Sequence, residues 1–112
     1  MYWVVENRMV CPATGTIFVH VLTVKNIRMI VWYKGDYFIS VGSILVTGPF
    51  GIAVDGTLRE LNILRVFPYK DALWSEFLAG TRCPGNSGAL ITHCKRRPFC
   101  AFSLCPWGAR DC

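Results

Sequence analysis

Two stretches of this chain read as one unit repeated. Residues 15 to 43 carry G-T-I-F-V and then N-I-R-M-I-V-W-Y-K-G-D-Y-F-I-S-V-G-S, and residues 56 to 81 carry G-T-L and then N-I-L-R-V-F-P-Y-K-D-A-L-W-S-E-F-L-A-G-T. Arg28 answers Arg65, Tyr33 and Lys34 answer Tyr69 and Lys70, and Gly42 answers Gly80, so the offset holds at about 37 residues. A fixed period of that size marks supersecondary units stacked side by side, and it constrains the fold more than any other feature here.

The local pattern is that of strands. Thr16 to Val24 is too rich in β-branched residues for a helix of its length. Met29 to Tyr33 and Tyr37 to Val41 flank the polar turn Lys34, Gly35 and Asp36, which predicts a hairpin. Gly51 to Val54, followed by Asp55, Gly56 and Thr57, predicts a second, and Ile63 to Phe67 with Trp74 to Ala79 around Tyr69, Lys70 and Asp71 a third. No amphipathic helix is expected. The uncharged run from Tyr37 to Val54 is about as long as a membrane span. Gly42, Gly48, Pro49 and Gly51 punctuate it, so it reads as strands joined by a turn and no membrane association is expected.

With 53% hydrophobic and only 17% charged residues, the chain holds more apolar material than one small core needs, and the surplus implies a face for another chain. Glu6 and Arg8 interrupt the start, which lacks the layout of a secretory signal and favours a cytoplasmic location. Of six cysteines, Cys11 stands alone, while Cys83, Cys94, Cys100, Cys105 and Cys112 crowd the last quarter without a C-x-x-C pair. Buried or free thiols are expected rather than a metal centre drawn from His93, Cys94, Cys100 and Cys105, and no cofactor is implied. The formal charge of +5 is concentrated from Arg82 onward, where five Lys or Arg meet one Asp.

The run Pro49, Phe50, Gly51, Ile52, Ala53, Val54, Asp55, Gly56 resembles the opening of an NHL repeat, whose pattern is P-x-G-I-A-V-D, then G-N-I-Y-V-A-D, then N-x-R-I-x-V-F. Residues 15 to 19 resemble the second element and residues 26 to 32 the third. The resemblance implies an all-β fold, an incomplete β-propeller of four-stranded antiparallel blades. Its units fall at about 10–48 and 49–97, with a third opening at 98–104, giving a propeller region over 1–104 and an irregular tail at 105–112. In that reading Arg28, Arg65, Gly51 and Asp55 are structural repeat positions. The chain departs from the pattern at Cys11 and Val21, where aspartates are expected, and around Leu61, where residues are missing. A closed propeller needs about four to eight blades, so the chain is expected to be part of a longer protein or to self-associate through open blade edges.

A propeller of this kind implies a non-catalytic binding module that engages a protein partner through its loops. Trp3, Trp32, Trp74 and Trp107 are then either anchors or packing residues. A branch of the family binds single-stranded RNA, and Arg82, Lys95, Arg96 and Arg97 beside Phe99 would supply phosphate contacts and a stacking ring. A further alternative lies in Arg82 to Ala89, which resembles the nucleophile loop of chymotrypsin-like proteases, with Ser87 served by His20 and by Asp36 or Asp55. His20 sits mid-strand, however, and two six-stranded barrels need more chain than 112 residues supply. No enzyme is expected.

Overall fold

The computed structural model describes residues 2–35, 37–87, 93–94, 97–102, 104–108 and 110–111. Seven strands, β1 (Tyr2–Cys11), β2 (Thr16–Leu22), β3 (Arg28–Lys34), β4 (Ile44–Gly48), β5 (Gly51–Val54), β6 (Thr57–Arg59) and β7 (Asn62–Pro68), form one sheet. The order is β6-β5-β4-β1-β2-β3-β7, and each neighbouring pair is antiparallel. One helix, α1 (Asp71–Thr81), follows β7.

The all-β expectation therefore holds for the sheet, but the two repeated segments do not make two blades. Arg28 and Arg65 lie on β3 and β7, adjacent strands of the same sheet, where Trp32 pairs with Arg65 and Arg28 with Leu22. The segment from Tyr37 to Val41 is not a strand. The Tyr33 hydroxyl donates to the Tyr37 carbonyl at 2.8 Å and accepts from the Ile39 amide at 3.3 Å, drawing the chain across the sheet with Ile39 buried. The edge of β3 is then free to pair with β7.

Trp74 to Ala79 is helical, against the strand expectation. Leu73, Trp74, Phe77 and Thr81 fall at helical spacing, and the first turn carries Asp71, a carboxylate suited to the positive end of the helix dipole. The Tyr69 hydroxyl donates to Asp71 Oδ1 at 2.9 Å, and Arg82, in the left-handed region at φ 53°, ends the helix.

Side chains alternate between two apolar layers. Met9, Phe18 and Ile30 face α1 and bury Trp74, with Trp32, Phe67, Leu73 and Phe77 around them. Phe18 stacks on Phe77 at 4.6 Å and on Trp32 at 5.7 Å. On the opposite face Val5, Val19, Val21, Tyr33, Leu45 and Val54 form the second layer, joined by Ile52, Leu61 and Ile63. Residues of β5 and β7, from opposite ends of the strand order, meet there, so the sheet curls. The curl is tightened by β6 and β7 following each other with only Glu60 and Leu61 between them. It lines an apolar cavity of about 170 Å3 that is partly open to solvent.

The β5–β6 hairpin turns on Asp55 and Gly56, both at positive φ, the geometry for which Asp-Gly is suited. Asp55 also reaches across to β4: its Oδ1 accepts the Ile44 amide at 2.9 Å, and its own amide donates to the Ile44 carbonyl at 2.9 Å.

Candidate functional site

Beyond α1 the chain returns to β1 through a short 3-10 turn, Pro84–Ser87, and the Asn86 side chain fastens it there. Asn86 Oδ1 accepts the Val10 amide at 2.9 Å, and its Nδ2 donates to the Val10 carbonyl at 2.8 Å, copying the pairing of a neighbouring strand. The same amide group donates to Thr81 Oγ1 at 2.8 Å, while Oδ1 also accepts Trp107 Nε1 at 3.1 Å. One carboxamide thus ties together β1, the end of α1 and the C-terminal segment. A β-carbon at Gly85 would collide with the Trp107 indole, so glycine is required at that approach. Trp107 meets Phe38 edge-on at 4.9 Å, and the Arg8 guanidinium lies over both rings, 3.8 Å from Phe38 and 5.0 Å from Trp107. The Arg8 Nη1 donates to the Ile39 carbonyl at 3.1 Å.

The C-terminal segment also meets the β1–β2 turn, where the Ala101 amide donates to the Pro12 carbonyl at 2.7 Å. Between that turn, the end of α1 and the short helix Arg97–Phe99 lies a groove of about 700 Å3. Pro12, Ala13, Ala79, Gly80 and Thr81 make its small-residue floor, and Arg82 and Phe99 complete it. Phe99 is 86% exposed, far more than an aromatic residue that serves the core.

Arg82 and Phe99, residues expected from the sequence to bind a partner, are therefore brought together. Arg97 is close in the chain, and its Nη1 donates to the Phe102 carbonyl at 2.8 Å. Lys95 and Arg96 lie outside the described residues, as does Asp36. The tryptophans are packing residues: Trp74, on α1, is buried against the sheet, Trp3 and Trp107 pack against the inward layer, and Trp32 packs against the helix layer. Gly51, at φ 120°, opens β5, and Arg65 lies 5.1 Å from the Phe67 ring. Sequence reasoning missed Asn86; the signal was present in G-N-S-G but was read for its serine.

Among the described residues nothing assembles a serine-protease triad. His20 is buried under α1, its ring stacked on Tyr69 at 3.8 Å, while Asp55 is occupied at the β5–β6 turn. Among the described residues no three His, Cys, Asp or Glu side chains gather as metal ligands would. Burial pushes the Cys83 thiol up from its usual range, which disfavours a reactive thiolate.

His20 Nε2 is buried without a hydrogen-bond partner among the described residues. Burial, and then the charge of Arg28, lowers its pKa, against smaller opposing effects of Glu6 and Asp71. The unfolded chain therefore takes up a proton first as pH falls below about 6.5, so stability is full above that value and declines below it until the folded pKa is reached. Urea midpoints measured at pH 7.5 and pH 5 are expected to fall in the acid, and His20→Phe, which keeps the stack on Tyr69, is expected to flatten that dependence. An unchanged pH slope in His20→Phe refutes the assignment.

The described residues thus form a curled antiparallel sheet with a docked helix and, beside that helix, a groove bearing an exposed aromatic side chain. The model of the IraM/PmrD family matches residues 1–75, and the chain belongs to that family. An anti-adapter protein IraM of Citrobacter koseri is 47% identical over 110 residues, spanning 98% of this chain and 96% of that protein. Anti-adapter proteins IraM of Escherichia coli O127:H6 and of Klebsiella pneumoniae are 26% and 24% identical over 99% and 95% of this chain, and 97% and 92% of their own lengths. The crystal structure of E. coli PmrD shares the fold, with a TM-score of 0.61 at 19% identity, covering 72% of this chain and 99% of that one.

These matches overturn the NHL resemblance. The P-F-G-I-A-V-D run is the β4–β5 turn followed by β5, and the period of about 37 residues matches β2, β3 and the loop after them with β6, β7 and α1, parts of one sheet and its helix rather than two blades. The expectation of RNA binding rested on that resemblance and falls with it. The protein is a member of a family of non-catalytic regulators.

Proposed function

We propose that this protein is an anti-adapter, which occupies an adapter protein and keeps it from its client. The observation that carries this reading is 47% identity to an anti-adapter protein, running end to end over 98% of this chain and 96% of that relative. The contact surface in this reading is the groove of Pro12, Ala13, Ala79, Arg82 and Phe99. The family model ends at residue 75, whereas the anti-adapter relatives align over 95% to 99% of the chain. The groove spans that boundary: Pro12 and Ala13 lie within residues 1–75, and Ala79, Gly80, Thr81, Arg82 and Phe99 lie beyond them. Phe99 supplies an apolar anchor and the basic residues from Arg82 onward supply charge complementary to an acidic surface.

The test is calorimetric titration against the adapter opposed by the Citrobacter koseri protein. Saturable binding that the adapter's client displaces is expected. Phe99→Ala and Ala79→Arg are each expected to weaken it by about tenfold or more without lowering the melting temperature. No binding by the intact protein overturns the function; binding indifferent to both substitutions overturns the location.

A further inference from the structure

The inward face of the curled sheet holds a second feature, separate from the groove. Val19, Val21, Tyr33 and Leu45, each at most 5% exposed, wall a cavity of about 170 Å3, and Thr47 and the half-exposed Val66 stand at its mouth. We infer that this cavity is a binding site for a small uncharged hydrocarbon group, a single ring or a short chain, entering between Thr47 and Val66.

The chemistry of the lining selects that class. Among the described residues no charged side chain lines the cavity. The described lining exposes no polar surface to it, and the Tyr33 hydroxyl is already committed as donor to the Tyr37 carbonyl and as acceptor from the Ile39 amide. Buried water requires about two to four polar partners, which this wall does not offer, and an apolar cavity of about 150 Å3 is known to stay dry and accept benzene. The void is of that size, and its walls are held by strand pairing on both sides, so it does not close by collapse of a loop. The mouths of small curled sheets and barrels are common places for one small ligand.

Benzene titrated into the full chain, followed by methyl NMR, tests the site. Saturable shifts with intermolecular NOEs to the methyls of Val19, Val21 and Val31 are expected, together with a rise in melting temperature. Val31→Phe, which fills the space from the strand face, is expected to weaken binding by about tenfold. NOEs absent up to the aqueous solubility of benzene overturn the inference, as does undiminished binding by a folded Val31→Phe variant. Should that variant not fold, the NOEs in the unmodified protein decide the matter alone.

Discussion

Asn86→Ala is expected to lower the unfolding free energy by about 3 kcal/mol, because it strands both polar groups of a buried backbone position. Val10 is 1% exposed, and its amide and carbonyl are both met by the Asn86 carboxamide. Each buried group left unpaired costs about 1–3 kcal/mol, and alanine at position 86 leaves two, besides removing the acceptor of Trp107 Nε1 and one of the two partners of Thr81 Oγ1. Asn86→Asp offers a sharper comparison. It keeps an oxygen for the Val10 amide but turns a second oxygen toward the Val10 carbonyl, so it is expected to be no more stable than the alanine variant. Urea denaturation measures the change, and amide exchange at Val10 localises it. A loss under about 0.5 kcal/mol, the range of ordinary surface substitutions, would refute the role assigned to this side chain.

The same substitution reaches the partner groove. Asn86 holds Thr81, which lies on the groove floor, and Trp107, which anchors the C-terminal segment from which Phe99 projects. Asn86→Ala is thus expected to weaken partner binding although residue 86 is no part of the contact surface, whereas Phe99→Ala weakens it with stability intact. The pair separates loss of the anchor from loss of the frame.

How much of this was readable in advance follows from the range of the interactions. Strands β2, β3, β5, β6 and β7 are set by β-branched alternation and by the Asp-Gly turn, which act over a few residues, and their positions were legible. The first strand was not, because Glu6 interrupts its alternation. In the structure the β1–β2 register shifts between Val5 and Asn7, so Glu6 is accommodated as a bulge. Tyr37 to Val41 has strand composition but is captured by the Tyr33 hydroxyl, a contact no local pattern announces. The helix was hidden by the apparent repeat: aligning residues 69 to 80 with a strand-forming segment obscured the spacing of Trp74, Phe77 and Thr81. At the site, Arg82 and Phe99 were legible as charge and exposed aromatic, but their meeting with Pro12 and Ala13 depends on the long-range anchorage at Asn86 and Ala101.

The largest loss is expected from Trp74→Ala, at about 3–5 kcal/mol, the range for removing a buried aromatic from a packed core. Helix α1 lacks a side-chain cap at its N-terminus, and only a few of its residues face the sheet, so its attachment rests on few contacts. Trp74 is the most deeply buried of its apolar side chains, packed with Met9, Phe18 and Ile30, and a helix of 11 residues is marginal without such packing. Its ring also lies 6.0 Å from His20 and 6.3 Å from Tyr69. Truncation is therefore expected to admit water to His20 as well as to loosen the helix, and the depressed imidazole pKa should rise toward its ordinary value. Urea unfolding gives the first effect and an NMR pH titration of His20 the second. A destabilised variant whose His20 still titrates as in the intact protein would mean that the helix remains seated and that Trp74 contributes packing alone.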